Sequence, residues 1–339
     1  MKSIFRVFTW LLAASFLVAS ASFAEQKVYK WQFQSHWPAS SASFKPLKDF
    51  FEKDVYNLSK GRLQVSVYPA AAIVPTKDIF GACRMGTVDG ATAFPSYWMG
   101  QIPITAVAGN LPMNLNTEEE GVHFWFKLGF EKMLKEAHAK HNLMYYSERV
   151  YPTAMVSKKP VVKLEDLKGL KIRTSGALAD MFKELGAAPT MIPGEEIYLA
   201  LQTGVIDAAH WGAASGALSI KLCEVAKYYF QPNLSMTTDI IVLNKKSFEA
   251  LPSDLQQALD RALVERALKR TQEYKLEEKR SLETMMKDYK VKISRLSPED
   301  EKKMRAAAIK VWDKLAAKDP ESAKAIAILK QYLHQLGRL

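Results

Sequence analysis

Apolar and polar residues alternate over Val28–Gln34 (Val-Tyr-Lys-Trp-Gln-Phe-Gln), the two-residue period of a strand with one buried face. The same period returns at Leu63, Val65 and Val67 before Pro69 stops it. Between these runs, Phe44–Leu58 carries apolar residues at helical spacing, and Ser59-Lys60-Gly61 closes it. A helix over Lys77–Met85 and a strand over Thr87–Ala93 come next, so strand and helix alternate as in a mostly parallel sheet. Further along, the pattern predicts a helix over His123–Glu136, a strand over Leu143–Val150, a short turn running into a strand that ends at Thr174, and a helix over Ala177–Leu185. From Ser253 onward it is almost wholly helical. Ser297-Pro298-Glu299-Asp300 and Asp319-Pro320 read as helix starts, with Met304, Ile309, Trp312 and Leu315 on an apolar stripe.

Two distant stretches repeat one another. Asp78–Ala91 (DIFGACRMGTVDGA) aligns without a gap on Glu196–Ala209 (EIYLALQTGVIDAA). Each reads as a helix ended by a glycine in the left-handed region, followed at once by a β-branched pair that opens a strand. The echo predicts two similar α/β lobes, and a cleft between lobes is a favoured place for a small-molecule site.

The first two dozen residues change the compartment. Lys2 and Arg6 precede an apolar run from Phe8 to Val18, and Ser20-Ala21-Ser22-Phe23-Ala24 supplies the small residues of a cleavage site. This is a secretory signal over residues 1–24, expected to be cut after Ala24 and to send the chain to the periplasm or beyond. Loss of Lys2 and Arg6 lowers the net charge from +11 to +9. The remaining charge is dispersed, with Lys and Arg interleaved with Glu along the last ninety residues as on solvated helix faces. No basic stripe interleaved with aromatics suits nucleic acid, whereas a positive field attracts a small anion. Cys83 and Cys223 sit in different predicted lobes and are expected to be buried free thiols.

Signatures of common enzymes are missing: there is no Gly-x-Ser-x-Gly, His-Glu-x-x-His, phosphate loop, Gly-x-Gly-x-x-Gly or Cys-x-x-Cys. His138 and His141, three apart without a carboxylate partner, read as a helix end rather than a metal site. The chemistry points to Arg173, at the end of the strand Leu170-Lys171-Ile172-Arg173, where a guanidinium opening into a cleft matches the two oxygens of a carboxylate. Trp211 closes the second echoed strand beside Gly212-Ala213-Ala214-Ser215-Gly216 and is a candidate wall, and His36, Trp37, Tyr97 and Trp98 occupy loops after first-lobe strands and are candidates for the facing wall.

Asp166–Thr174 (DLKGLKIRT), Gly61–Pro69 (GRLQVSVYP), Gly204–Ala209 (GVIDAA) and Leu243–Pro252 (LNKKSFEALP) together resemble the solute-binding proteins of tripartite ATP-independent periplasmic (TRAP) transporters, the DctP-like family. Order and spacing agree over nearly the whole mature chain. The resemblance implies an α/β, two-lobed periplasmic binding protein clamshell of type II-like class, with mixed sheets flanked by helices and a long C-terminal helix spanning both lobes. It divides the chain into lobe I (25–151 with 239–275) and lobe II (152–238 with 276–339). It further implies capture of a small organic acid, a carboxylate such as a 2-oxo or 2-hydroxy monocarboxylate, with Arg173 at the position of the family's carboxylate-binding arginine. The partner implied is a TRAP permease, and neither an enzymatic role nor a cofactor is implied. Trp211 resembles the tryptophan of a branch that binds 2-oxo acids and lactate, sometimes with a metal ion. That branch supplies an acidic ligand some two dozen residues later, where Pro232–Thr238 has no carboxylate and the nearest is Asp239, so no metal ligand is assigned. A secreted enzyme or a ligand sensor on the same scaffold remains the alternative.

Overall fold

The computed structural model describes residues 27–339, so the signal segment lies outside the described residues. The strands are β1 (Tyr29–Gln34), β2 (Leu63–Tyr68), β3 (Gly90–Ala93), β4 (Leu143–Thr153), β5 (Met155–Ser157), β6 (Lys171–Arg173), β7 (Ala188–Thr190), β8 (Ala208–His210), β9 (Tyr228–Gln231), β10 (Ser235–Asn244) and β11 (Lys292–Arg295). They form two mixed sheets, ordered β2-β1-β3-β10-β4 and β11-β9-β5-β8-β6-β7. In the first, β1 runs parallel to β2 and β3 while β10 is antiparallel to β3 and β4. In the second, β6 is parallel to β7 and β8, and β5 is antiparallel to β8 and β9. The two-lobed α/β architecture is that expected from the sequence.

The alternating strands behave as their pattern requires: Leu63, Val65 and Val67 of β2 are buried while Ser66 is exposed. In contrast, β10, inside the sheet, and β4, at its edge but packed against helices Ser253–Lys287 and Phe130–Ala139, are buried along nearly their whole length. The helix expected over His123–Glu136 is divided at Gly129, whose φ of 88° ends one turn and begins a new helix at Phe130–Ala139.

The internal repeat is deeper than the sequence echo. Gly86 and Gly204 end their helices in the left-handed region at φ 82° and 79°. Asp89 accepts a bond from Gln32 N of β1 at 2.8 Å, as Asp207 does from Lys171 N of β6 at 3.2 Å. Gln34 pairs with Ala91 as Arg173 pairs with Ala209, and Gln34 Nε2 donates to Val74 O as Arg173 Nε donates to Ile192 O, each at 2.8 Å. Arg173 thus occupies, in the second lobe, the place of Gln34 in the first.

The chain passes between lobes at Ala154, between β4 and β5, and at residues 232–234, between β9 and β10, which leaves all of β10 in the first sheet. Helix Ser253–Lys287, about 52 Å long at 1.5 Å per residue, buries Leu255, Leu259 and Leu263 in the first lobe and Met285 in the second. Helix Pro298–Lys318 buries Met304, Ala308 and Val311 on the second lobe and Trp312 in the first. The last helix, Pro320–Gln335, which the sequence division put in lobe II, buries Ala325, Ile326, Leu329 and Leu333 in the first lobe with Trp125 and Phe130. The corner at Asp319, whose side chain accepts from Ser322 N at 2.7 Å, turns the chain back across. Both cysteines are buried and unpaired, one in each lobe.

His138 is fully buried in the first lobe, with Nδ1 2.7 Å from Leu134 O, and burial pushes its imidazole down to about 4. The unfolded chain binds this proton below about 6.5 and the folded chain does not until about 4, so stability falls as pH drops through that window. His138→Phe, which keeps a ring against Trp98 and Tyr145, should flatten the decline in melting temperature between pH 7 and 4.5. An unchanged decline would show that other groups carry it.

Candidate functional site

A cavity open in part to solvent, with about 440 Å³ of atom-free space counting its mouth, lies between the lobes where strands of both sheets end. The first lobe contributes His36 and Trp37 after β1, Phe94 and Tyr97 after β3, and Arg149, Tyr151 and Asp239 from β4 and β10. The second contributes Arg173 from β6 and His210, Trp211 and Gly212 from the end of β8.

Arg173 is 2 % exposed. Its Nη1 donates to His210 O at 2.7 Å, its Nη2 donates to Tyr97 OH at 3.1 Å, and its guanidinium lies 5.1 Å from the Trp211 ring centre. Among the described residues no carboxylate comes within 4 Å of it, so its charge is held by neutral groups alone. A buried cation in that condition is costly unless an anion completes it. The bond to Tyr97 joins the two lobes.

Arg149 is equally buried but its charge is spent. It pairs with Glu148, approaches Asp239 Oδ2 at 2.9 Å, and is enclosed by the rings of Tyr151, Tyr274 and Trp37 at 4.4, 4.2 and 5.2 Å. Asp239 in turn faces His36 Nε2 at 3.4 Å, and His36 Nδ1 meets Thr92 Oγ1 at 2.8 Å. Glu148 also binds Arg266 of the long helix at 2.8 Å.

The Trp211 loop is fixed from two sides. Glu278 of the long helix accepts from Ala214 N and Ser215 N at 2.6 and 3.0 Å, capping the short helix that follows. Gly194 lies against the indole so closely that a Cβ there would stand 2.3 Å from Trp211 Cη2. Gly194→Ala must therefore move the indole, and it should weaken ligand affinity by roughly tenfold through a clash of about 1–3 kcal/mol. Unaltered affinity by calorimetry would remove Trp211 from the wall.

Residues 33–319 match the profile of the bacterial extracellular solute-binding proteins, family 7 (DctP). The chain belongs to this family. Its members are TRAP-type periplasmic solute-binding proteins rather than enzymes. A curated relative, the monocarboxylate 2-oxoacid-binding periplasmic protein of Nostoc sp., is 28% identical over 251 residues, covering 72% of this chain and 68% of its own. Two solved TRAP periplasmic solute-binding proteins superpose over 91% of this chain and 95% of theirs. The one from Pseudoalteromonas atlantica, with bound sodium and pyruvate, gives a TM-score of 0.84 at 27% identity. The one from Colwellia psychrerythraea, with bound calcium and pyruvate, gives 0.85 at 26%.

The donor set of this family member does not fit an ion of that kind. Asp239 is the one carboxylate among the described residues lining the cavity, and it already faces Arg149 and His36. No group of three or more His, Cys, Asp or Glu gathers among the described residues in a way that could hold a metal. A cation there would have to compete with a buried guanidinium for Asp239.

Of the residues singled out in the sequence, the family fold brings Arg173, Trp211, His36, Trp37 and Tyr97 to one cavity. Trp98 goes elsewhere: it is 3 % exposed, its ring centre 5.0 Å from that of Phe80 and 6.1 Å from that of His138 in the first-lobe core. Arg149, Tyr151, His210 and Tyr274 also line this cavity without standing out in the sequence, where Asp239 enters only as a possible metal ligand. The available signal was the charged pair Glu148-Arg149 inside an otherwise apolar and aromatic strand.

Proposed function

We propose that this protein captures a small organic acid carrying one negative charge, holds it between the lobes through Arg173, and presents it in the periplasm to a TRAP permease. The observation that carries this reading is the buried guanidinium of Arg173, without a carboxylate partner among the described residues, in a cavity between the lobes. Arg149 and Asp239 offset one another at the cavity wall, so the charge left over is that of a single cation and calls for a single anion. The rings of Trp37, Tyr97 and Trp211 bound the space and favour a small solute. The 2-oxoacid named for the Nostoc relative and the pyruvate in two structural neighbours support the same class.

Closure follows from the geometry. An acid on Arg173 touches the second lobe, while Tyr97, Trp37 and the Arg149 group approach from the first, so the closed state alone collects every contact and its population rises. Denaturing mass spectrometry of freshly purified protein, followed by a thermal-shift screen of organic acids, tests this. One intact acid at about one per chain, raising the melting temperature, is the expected result. Recovery of a chemically altered molecule would favour an enzyme on this scaffold, and no acid in either experiment would overturn the reading.

A further inference from the structure

We propose that the imidazole of His210 recognises the oxygen on the carbon next to the carboxylate, so that the protein selects 2-oxo and 2-hydroxy acids over acids lacking that oxygen, without help from a metal ion. This inference rests on the capture of a small monocarboxylate by Arg173 and names what else the site reads.

His210 ends β8 and lines the cavity beside Arg173, whose Nη1 donates to its carbonyl at 2.7 Å. It is 2 % exposed, yet neither Nδ1 nor Nε2 has a hydrogen-bond partner among the described residues. The other histidine of the cavity differs, since both ring nitrogens of His36 are occupied by Thr92 and Asp239. A buried imidazole with two idle nitrogens costs free energy that a bound solute can return. Burial, and then the nearby Arg173, push its pKa down to about 3, so it stays neutral at periplasmic pH.

A neutral imidazole offers one N–H donor and one acceptor nitrogen. Toward a ketone oxygen it donates, and toward a hydroxyl it accepts or donates, so it serves either oxidation state of the same acid. Its neutrality matters beside Arg173, because a charged neighbour would compete for the carboxylate. An acid with an ammonium group at that carbon would set a second cation beside Arg173 and is disfavoured by charge. Because the donors around the cavity do not fit a metal, recognition of the second oxygen falls to a side chain.

The test compares matched acids on the full mature protein by calorimetry: pyruvate with propionate, 2-oxo-3-methylbutanoate with 3-methylbutanoate, and phenylpyruvate with 3-phenylpropionate. The wild type should prefer the oxo member of any pair it binds by roughly 30-fold or more. His210→Phe should reduce that ratio to about threefold while keeping affinity for the plain acid within about fivefold, and His210→Gln should fall between. A chelator should leave the wild-type ratio unchanged. An equal ratio in His210→Phe and wild type, a wild-type ratio near one, or loss of the ratio on chelation each overturns the inference. If His210→Phe fails to fold by circular dichroism, His210→Gln and the chelator comparison decide. Binding of none of these acids by the wild type would instead defeat the capture of small monocarboxylates itself.

Discussion

Replacing Arg173 by alanine should weaken capture of the acid about 30- to several-thousand-fold, the equivalent of about 2–5 kcal/mol. The loss is large because nothing nearby can substitute. Arg149 is engaged by Glu148 and Asp239, and its guanidinium is closed in by aromatic rings. Arg173→Lys should also bind poorly. The guanidinium reaches Ile192 O, His210 O and Tyr97 OH with separate N–H groups while lying 5.1 Å from the Trp211 ring centre, and an ammonium cannot hold that arrangement. Isothermal titration with the co-purified acid, alongside circular dichroism, checks both variants. Wild-type affinity in a folded Arg173→Ala protein would sink the role assigned to this residue.

Removing Arg149 should act on the fold rather than on the ligand alone. Arg149→Leu leaves Asp239 and one side of Glu148 buried without their cation, and the expected cost is about 3–5 kcal/mol. The double variant Arg149→Leu with Asp239→Leu removes the stranded carboxylate as well, and it should be more stable than the single one by about 1–3 kcal/mol. Urea denaturation at constant m-value measures both. Equal stability of the single and double variants would mean that Asp239 finds adequate partners in His36 and the nearby hydroxyls, and that the ion pair is incidental.

What the sequence disclosed depended on how each element meets its surroundings. Strands with one exposed face, such as β2, announced themselves by alternation, and the glycines at 86 and 204 marked their helix ends because only a left-handed residue fits there. Arg173 was legible because it stands at a strand end within a recognisable run. Arg149 and Asp239 were not, since β4 and β10 are covered on both faces and lose the two-residue period that separates inside from outside. The stripe of Ala325, Ile326, Leu329 and Leu333 showed a helix with one buried face, yet an apolar stripe does not say which of two lobes it will cover. Trp98 illustrates the same limit at a single residue. It lies one position beyond Tyr97 in a short helical turn, and that one step points it into the core instead of the cleft.

The match between Gln34 and Arg173 sets an itinerary for the solute. At equivalent positions of the two halves, one side chain is neutral and satisfied by Ile73 and Val74, and the other is charged and open to an anion. On the proposed reading, an acid arriving at the open protein lands on the second lobe, and the first swings over it as a cover. Departure reverses the sequence: the cover lifts, Tyr97 lets go of Arg173, and the cargo is left on the charged half, facing outward for whatever receives it.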